Sequence, residues 1–135
     1  MIRSTIYWVD SGTSGRLGIL ARPRAGDWLE DEMKALKEAG VDLLVSLLTS
    51  DEVAELGLED EQRHCVAAGM TFVSFPIEDR NLPASDDAAL ALVTQLATDV
   101  RQGRAVGVHC RMGIGRSSMI AAAVLMRLGV DGGEA

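Results

Sequence analysis

The residues best suited to do chemistry are those of HCRMGIGRS, 109 to 117. A cysteine opens a turn that closes on an arginine six positions later, with two glycines between them and a serine just after. Gly113 and Gly115 let the backbone curl so that successive N–H groups point inward. Such a nest at the start of a helix attracts an anion. Arg116 adds a planar, two-pronged donor that matches phosphate oxygens. Cys110, at the floor of the nest, feels the same field. A free thiol has a pKa of about 8.5, and positions of this kind bring it to roughly 3.5 to 7.5, so Cys110 is expected to be a thiolate at neutral pH. Ser117 is placed to donate to that sulfur, and His109 to brace the loop by hydrogen-bonding its backbone.

This run resembles the HCxxGxGR[ST] signature of the cysteine-dependent protein tyrosine phosphatases, most closely the small dual-specificity type. A chance match in a chain this short is on the order of one in a million. The sequence holds its own control in a second His-Cys pair, His64 and Cys65. Six positions beyond Cys65 stands Thr71, and no glycine arch follows, so Cys65 is expected to be a buried helix residue. The resemblance extends upstream, where family members carry a general-acid aspartate on a mobile loop, often a few positions before a proline. Here FPIEDRNLP offers Asp79 ahead of Pro83.

The resemblance implies a two-step phosphoryl transfer. Cys110 attacks phosphorus while Asp79 protonates the departing oxygen, and Asp79 then serves as base toward the water that hydrolyses the phosphocysteine. The loop amides of Arg111, Met112, Gly113, Ile114, Gly115 and Arg116, with the Arg116 guanidinium, hold the three non-bridging oxygens. Neither metal nor cofactor enters the scheme. The implied partner is a phosphorylated protein or peptide, carrying phosphotyrosine and also phosphoserine or phosphothreonine, and vanadate is expected to inhibit. The family usually continues with more helix after the loop helix, whereas this sequence stops at DGGEA. One domain over 1–135, lacking those later helices and exposing apolar surface, is the expectation.

Rival readings stay open on the same residues. A phosphatase of phosphoinositides or other non-protein monoesters gains support from Arg111, but Ile114 stands where lipid-directed relatives often carry a second basic residue. A phosphoprotein-binding pseudophosphatase usually loses the cysteine, arginine or acid, and all three are present. Rhodanese-like sulfur transfer lacks the arginine at this spacing. Glu78, beside Asp79, carries the same chemistry. Arg22, Arg24 and Arg80 could contact substrate at the rim but read better as surface residues, and Glu52 equally as a brace for the active-site loop or as a helix-start acid. SGTSGRLG is not followed by the Gly-Lys-Ser/Thr of a nucleotide loop, and two histidines without a nearby ligand cluster do not suggest zinc.

The elements that must position the loop follow from hydrophobic periodicity. TIYWV (5 to 9) and LGILA (17 to 21) read as a hairpin across SGTSGR. Asp27 and Glu30 match a capping box for a helix over 28 to 39, with Leu29, Met33, Leu36 and Ala39 on one face and a stop at Gly40. VDLLVSLL (41 to 48) suits a buried strand. A turn near 51 to 56, a helix over 59 to 68 ended by Gly69, a strand at 71 to 75 and a loop at 76 to 83 come next. A helix over 86 to 102, the strand AVGVH at 105 to 109 and a buried helix from SSMIAAAVLMRL complete the pattern, which is α/β: a mostly parallel central sheet flanked by helices, with the phosphate loop between the last strand and a helix.

Composition bounds the rest. At 135 residues and 47% hydrophobic, the chain has room for one core. A formal charge of -7 disfavours a nucleic-acid surface, so any anion must be held locally. Two cysteines and no signal-like start point to a reducing cytosol and not to a disulfide scaffold. No apolar run reaches the roughly 20 residues of a membrane span.

Overall fold

The computed structural model describes residues 6–9, 15–77, 87–111 and 115–131. In chain order these form β1 (Ile6–Val9), β2 (Arg16–Leu20), α1 (Leu29–Glu38), β3 (Leu43–Ser46), α2 (Ser50–Leu56), α3 (Glu61–Ala67), β4 (Thr71–Ser74), α4 (Asp87–Arg101), β5 (Ala105–His109) and α5 (Gly115–Asp131). The strands make one sheet in the order β1-β2-β5-β3-β4. The opening hairpin pairs antiparallel, with Ile6 opposite Leu20, and every other pairing is parallel. The mostly parallel sheet expected from the sequence is therefore present, with β5 at its centre.

Central parallel strands are buried on both faces, and all residues of β3 and β5 are buried. Alternation along each strand divides them between two cores. Leu43 and Val45 of β3, with Val106 and Val108 of β5, pack toward Leu96, Val100, Ile120 and Val124 of α4 and α5. Leu44 faces the opposite layer, where Leu29, Met33 and Leu36 of α1 meet Leu58, Cys65 and Met70. Cys65 is thus a buried helix residue, as expected.

Three local expectations need correction. The capping box of Asp27 and Glu30 does not form, because Asp27 lies inside a short 3-10 turn, Gly26–Trp28, and the residue before α1, Trp28, is itself helical with no side-chain cap. Glu30 pairs instead with Lys34, 3.2 Å away across one helical turn. Ala39 lies past the helix and is exposed, while Glu32 joins the buried face in partnership with Arg24. Third, 51 to 56 is not a turn but most of α2. Thr49 and Glu52 cap it reciprocally, and Gly57, at φ 70°, closes it in the left-handed region that favours glycine.

Gly15 is needed for space. A Cβ there would lie 2.2 Å from the Val100 carbonyl oxygen and 2.4 Å from that of Arg104, where β2 passes the end of α4. Gly15→Ala is expected to destabilise the fold by about 1–3 kcal/mol through overpacking against backbone that cannot yield, read as a lower midpoint in thermal and urea unfolding. An unchanged midpoint would show that this corner repacks freely.

Candidate active site

The pleat of β5 sorts the two residues of the His-Cys pair to opposite sides of the sheet. Val106, Val108 and Cys110 follow one another on the α4/α5 side, and Cys110 is buried. His109 points the other way, fully buried, and its Nε2 meets the Glu61 carboxylate of α3 at 2.5 Å. The expected bracing of the loop backbone is not seen among the described residues. Among the described residues its Nδ1 meets no partner, because strand alternation carries the ring away from the loop. Cys65, also in α3, has its thiol pushed up to about 12, by burial first and by the Glu61 charge second. The second His-Cys pair thus carries an inert thiol.

Arg116 opens α5 one residue after Gly115 and is 5% exposed. Its Nη1 and Nη2 donate to the two carboxylate oxygens of Glu52 at 2.8 and 2.9 Å, and Nη1 also donates to the Ile77 carbonyl at 2.7 Å. Glu52 is both things its sequence context allowed. It completes the capping box of α2, accepting from the Thr49 backbone N–H at 3.0 Å while its own N–H donates to Thr49 Oγ1 at 3.2 Å, and it clamps the arginine. The Arg116 hydrogen bonds hold the Glu52 carboxyl at about 2, well below its ordinary 4.5, against the opposing effect of burial.

A second layer of arginines surrounds the loop. Arg22 donates from Nη1 to the Arg111 carbonyl at 2.6 Å, so it holds the backbone just past β5 and is not the plain surface residue expected. Arg111 forks onto Glu55 at 2.9 and 3.0 Å and holds that carboxyl below the usual range. Arg24, exposed as expected, pairs with buried Glu32 at 2.8 Å. Ser117 is fully buried, but its Oγ meets no partner among the described residues. The expected bond to the Cys110 sulfur is not seen among the described residues. Gly115 begins α5 without a positive φ, and a Cβ there would meet nothing within 4 Å among the described residues. Met112, Gly113 and Ile114, and Glu78, Asp79 and Arg80, lie outside the described residues.

The contribution of Glu52 was half legible, since Thr49-x-x-Glu52 is a readable capping signal. That of Arg22 was not, because its place beside the loop depends on β2 neighbouring β5.

A fold with one mostly parallel sheet, a cysteine at the carboxyl end of its central strand and an arginine at the start of the next helix defines a phosphatase of the dual-specificity and tyrosine type. Residues 18–130 match the family described as "Polymorphic toxin system, DSP-PTPase phosphatase", and the chain belongs to it. The fold is similar to kinase associated phosphatase (KAP) with serine replacing its catalytic-site cysteine, at TM-score 0.85 and 23% identity over 95% of this chain and 76% of that one. It is similar also to Tk-PTP in its active form, at TM-score 0.68 and 26% identity over 84% and 69% of the two chains. TpbA of P. aeruginosa, solved with phosphotyrosine, matches at TM-score 0.53 and 25% identity over 94% and 70%. No curated protein matches the sequence. No helix among the described residues is long and apolar enough to cross a membrane.

The depressed Glu52 carboxyl has a pH signature. An acid whose folded pKa, about 2, lies below its ordinary 4.5 contributes stability that is complete above the ordinary value and is lost as pH falls toward the folded one. Glu52→Gln should lower stability at neutral pH by on the order of 2 kcal/mol, because the buried guanidinium loses its charged partner. It should also remove part of the acid-dependent decline that the wild type shows below about pH 5. Chemical denaturation across that range reads both, and parallel curves for the two proteins would contradict the assignment.

Proposed function

We propose that the chain hydrolyses phosphotyrosine on proteins, and phosphoserine or phosphothreonine more slowly, through a phosphocysteine intermediate on Cys110. The single observation that carries this reading is the clamp of Arg116 by Glu52 beside a buried Cys110 at the carboxyl end of β5. Because the carboxylate takes the Nη1/Nη2 edge, the guanidinium is fixed in orientation before substrate arrives, which supports a role for it in receiving phosphate oxygens. The start of α5 adds its N–H groups and dipole behind the same oxygens.

In the first step the Cys110 sulfur forms a bond to phosphorus as the bond to the leaving oxygen breaks, and Asp79 gives that oxygen its proton. In the second, Asp79 takes a proton from water, whose oxygen displaces the sulfur and releases inorganic phosphate. Arg111 through Arg116 cradle the phosphoryl group, with Ser117 close behind and His109 fixing the end of β5. The Ile77 carbonyl that accepts from Arg116 directly precedes the segment with Asp79, so the clamp also anchors the root of the acid loop. Two free thiols suit a reducing cytosol, and the family's toxin-system description fits a chain that meets its phosphoproteins in the cytosol of a target cell.

Hydrolysis of an aryl phosphate is expected to proceed in excess chelator, to stop with vanadate, and to vanish in Cys110→Ser while Cys65→Ser stays active. Arg116→Lys should lose most activity, since a point ammonium cannot make two parallel bonds. A Cys110→Ser protein at wild-type rate would sink the proposal.

The acid is testable separately. Protonating the leaving group is worth roughly a hundred- to ten-thousandfold and matters most for a poor one. Asp79→Asn should therefore slow a tyrosyl phosphate far more than an activated aryl phosphate, and Glu78→Gln should change little. The reverse ranking would move the role to Glu78.

A further inference from the structure

Where β5 runs out, its backbone needs partners that no strand supplies. The ladders on either side of β5 end at His109, opposite Leu20 of β2 and Ser46 of β3, and the His109 carbonyl accepts from the Leu47 N–H at 3.0 Å. Two residues on, the Arg111 carbonyl lies beyond both ladders, and a backbone acceptor there must be answered by a side chain or by water. Arg22 answers it with a single Nη1 donor at 2.6 Å, across 89 positions of sequence. The bond is short and charge-assisted. Its neighbour places Arg22 for this task, since Pro23 is buried and the residue before a proline is confined to extended backbone. The Arg111 side chain is held as well, forked onto both oxygens of Glu55 in α2 at 2.9 and 3.0 Å, and Glu55 feels the charge of Arg22 in addition to that of Arg111. The residue that follows Cys110 is thus gripped by its backbone and by its side chain.

We propose that Arg22 is a positioning residue for hydrolysis at Cys110, acting through the Arg111 carbonyl and touching no substrate. The inference rests on the reading of Cys110 and Arg116 as the site of hydrolysis. The oxygen that Arg22 holds belongs to the peptide unit leaving Arg111, the first after the nucleophile's neighbour. A trans peptide is planar and carries its N–H on the edge opposite its C=O, so a donor that fixes the oxygen also fixes the direction of the hydrogen. Amides aimed in advance stabilise a phosphoryl group without reorganising as its charge develops. A peptide free to turn must be realigned at the expense of binding energy. The Glu55 fork does not suffice for this, because it holds the side chain, about which the peptide plane can still rotate, and because that carboxylate is 60% exposed. The Arg22 bond joins one donor to one acceptor, unlike the fork of Arg116 on Glu52, and that difference gives the role its signature.

The test uses the full chain and two probes, an aryl phosphate for turnover and tungstate, a tetrahedral dianion that cannot be hydrolysed, for binding by calorimetry. Arg22→Met removes the donor and keeps an unbranched apolar stem. It should lower kcat for the aryl phosphate roughly ten- to a hundredfold, as expected when a reacting geometry is misplaced by about an ångström, and should weaken tungstate binding about tenfold. Arg22→Lys should restore most of both, since an ammonium can supply one bond to a carbonyl, whereas Arg116→Lys should not recover. The loss should persist at about 1 M salt, where the long-range field of a cation is screened. Should Arg22→Met fail to fold, Arg22→Gln, with a shorter side chain, carries the same expectations. Wild-type kcat in the variant, or a loss that lysine does not restore or that fades with salt, would overturn the proposal. So would a loss confined to KM, which marks a substrate contact, or fewer tungstate sites at unchanged affinity, which marks an unfolded fraction. Arg22-dependent tungstate binding without turnover by the wild type rejects the hydrolytic reading alone. Turnover with wild-type kinetics in Arg22→Met rejects the positioning role alone, and a wild type that neither binds tungstate nor turns over rejects both.

Discussion

A guanidinium that is 5% exposed needs its charge and its donors answered, since an unpaired buried cation is among the most expensive defects a fold can carry. Arg116 is answered from two places far apart in sequence. Glu52, at the start of α2, supplies two oxygens, and the carbonyl of Ile77, just past β4, supplies a third. One side chain thereby ties together the helix that follows β5, the short helix after β3 and the residues just past β4. The tie is rigid because Glu52 is itself held by the Thr49 cap. Were Glu52 on an uncapped turn, the carboxylate would follow the arginine; here the arginine follows the carboxylate.

The second constraint is the two-residue period of β5. Five buried residues in a row leave no solvent face, so each side chain is committed to one helix layer or the other. Cys110 ends on the layer of α4 and α5, at the mouth where α5 begins. His109 ends on the layer of α1 and α3, where Glu61 is its partner. The same Glu61 lies close enough to Cys65 to help keep that thiol protonated. The two faces of one sheet thus hold one cysteine at the start of α5 and one shielded beside a carboxylate, and the sheet between them keeps the two environments apart.

The strands and the long helices were legible in the sequence because each rests on local pattern. The continuous apolar run 41 to 48, the alternation of 105 to 109 and the glycine-framed cysteine need no partner to be recognised. The misreadings share a cause. α2 looked like a turn because seven residues are too few for a helical period to emerge, although its caps, Thr49, Glu52 and Gly57, were all present. Asp27 looked like a cap because a capping box takes no account of the 3-10 turn that carries it past the helix start. The bracing by Arg22 and the pairing of His109 with Glu61 join residues 89 and 48 positions apart. Nothing local encodes them; they follow from strand order and from which face a side chain leaves.

The arrangement of charge at the mouth carries a further consequence for selectivity. Arg116, Arg111 and Arg24 each hold a carboxylate, Glu52, Glu55 and Glu32 in turn. Bare arginines in an acidic protein would attract any passing anion and would be drawn to its own surface carboxylates. Paired ones present a fixed geometry and a smaller net field, so a monoanion gains little by entering. The exposure of the three acids differs in a way that matters. Glu32 and Glu52 are 4% and 12% exposed and keep their arginines in place, whereas Glu55 is 60% exposed and its hold on Arg111 is open to water. The mouth thus combines a clamp whose position is set by buried acids with a rim pair, Arg111 and Glu55, that exchanges with water. That combination favours phosphate over carboxylate by charge as well as by shape, without requiring the protein as a whole to be basic.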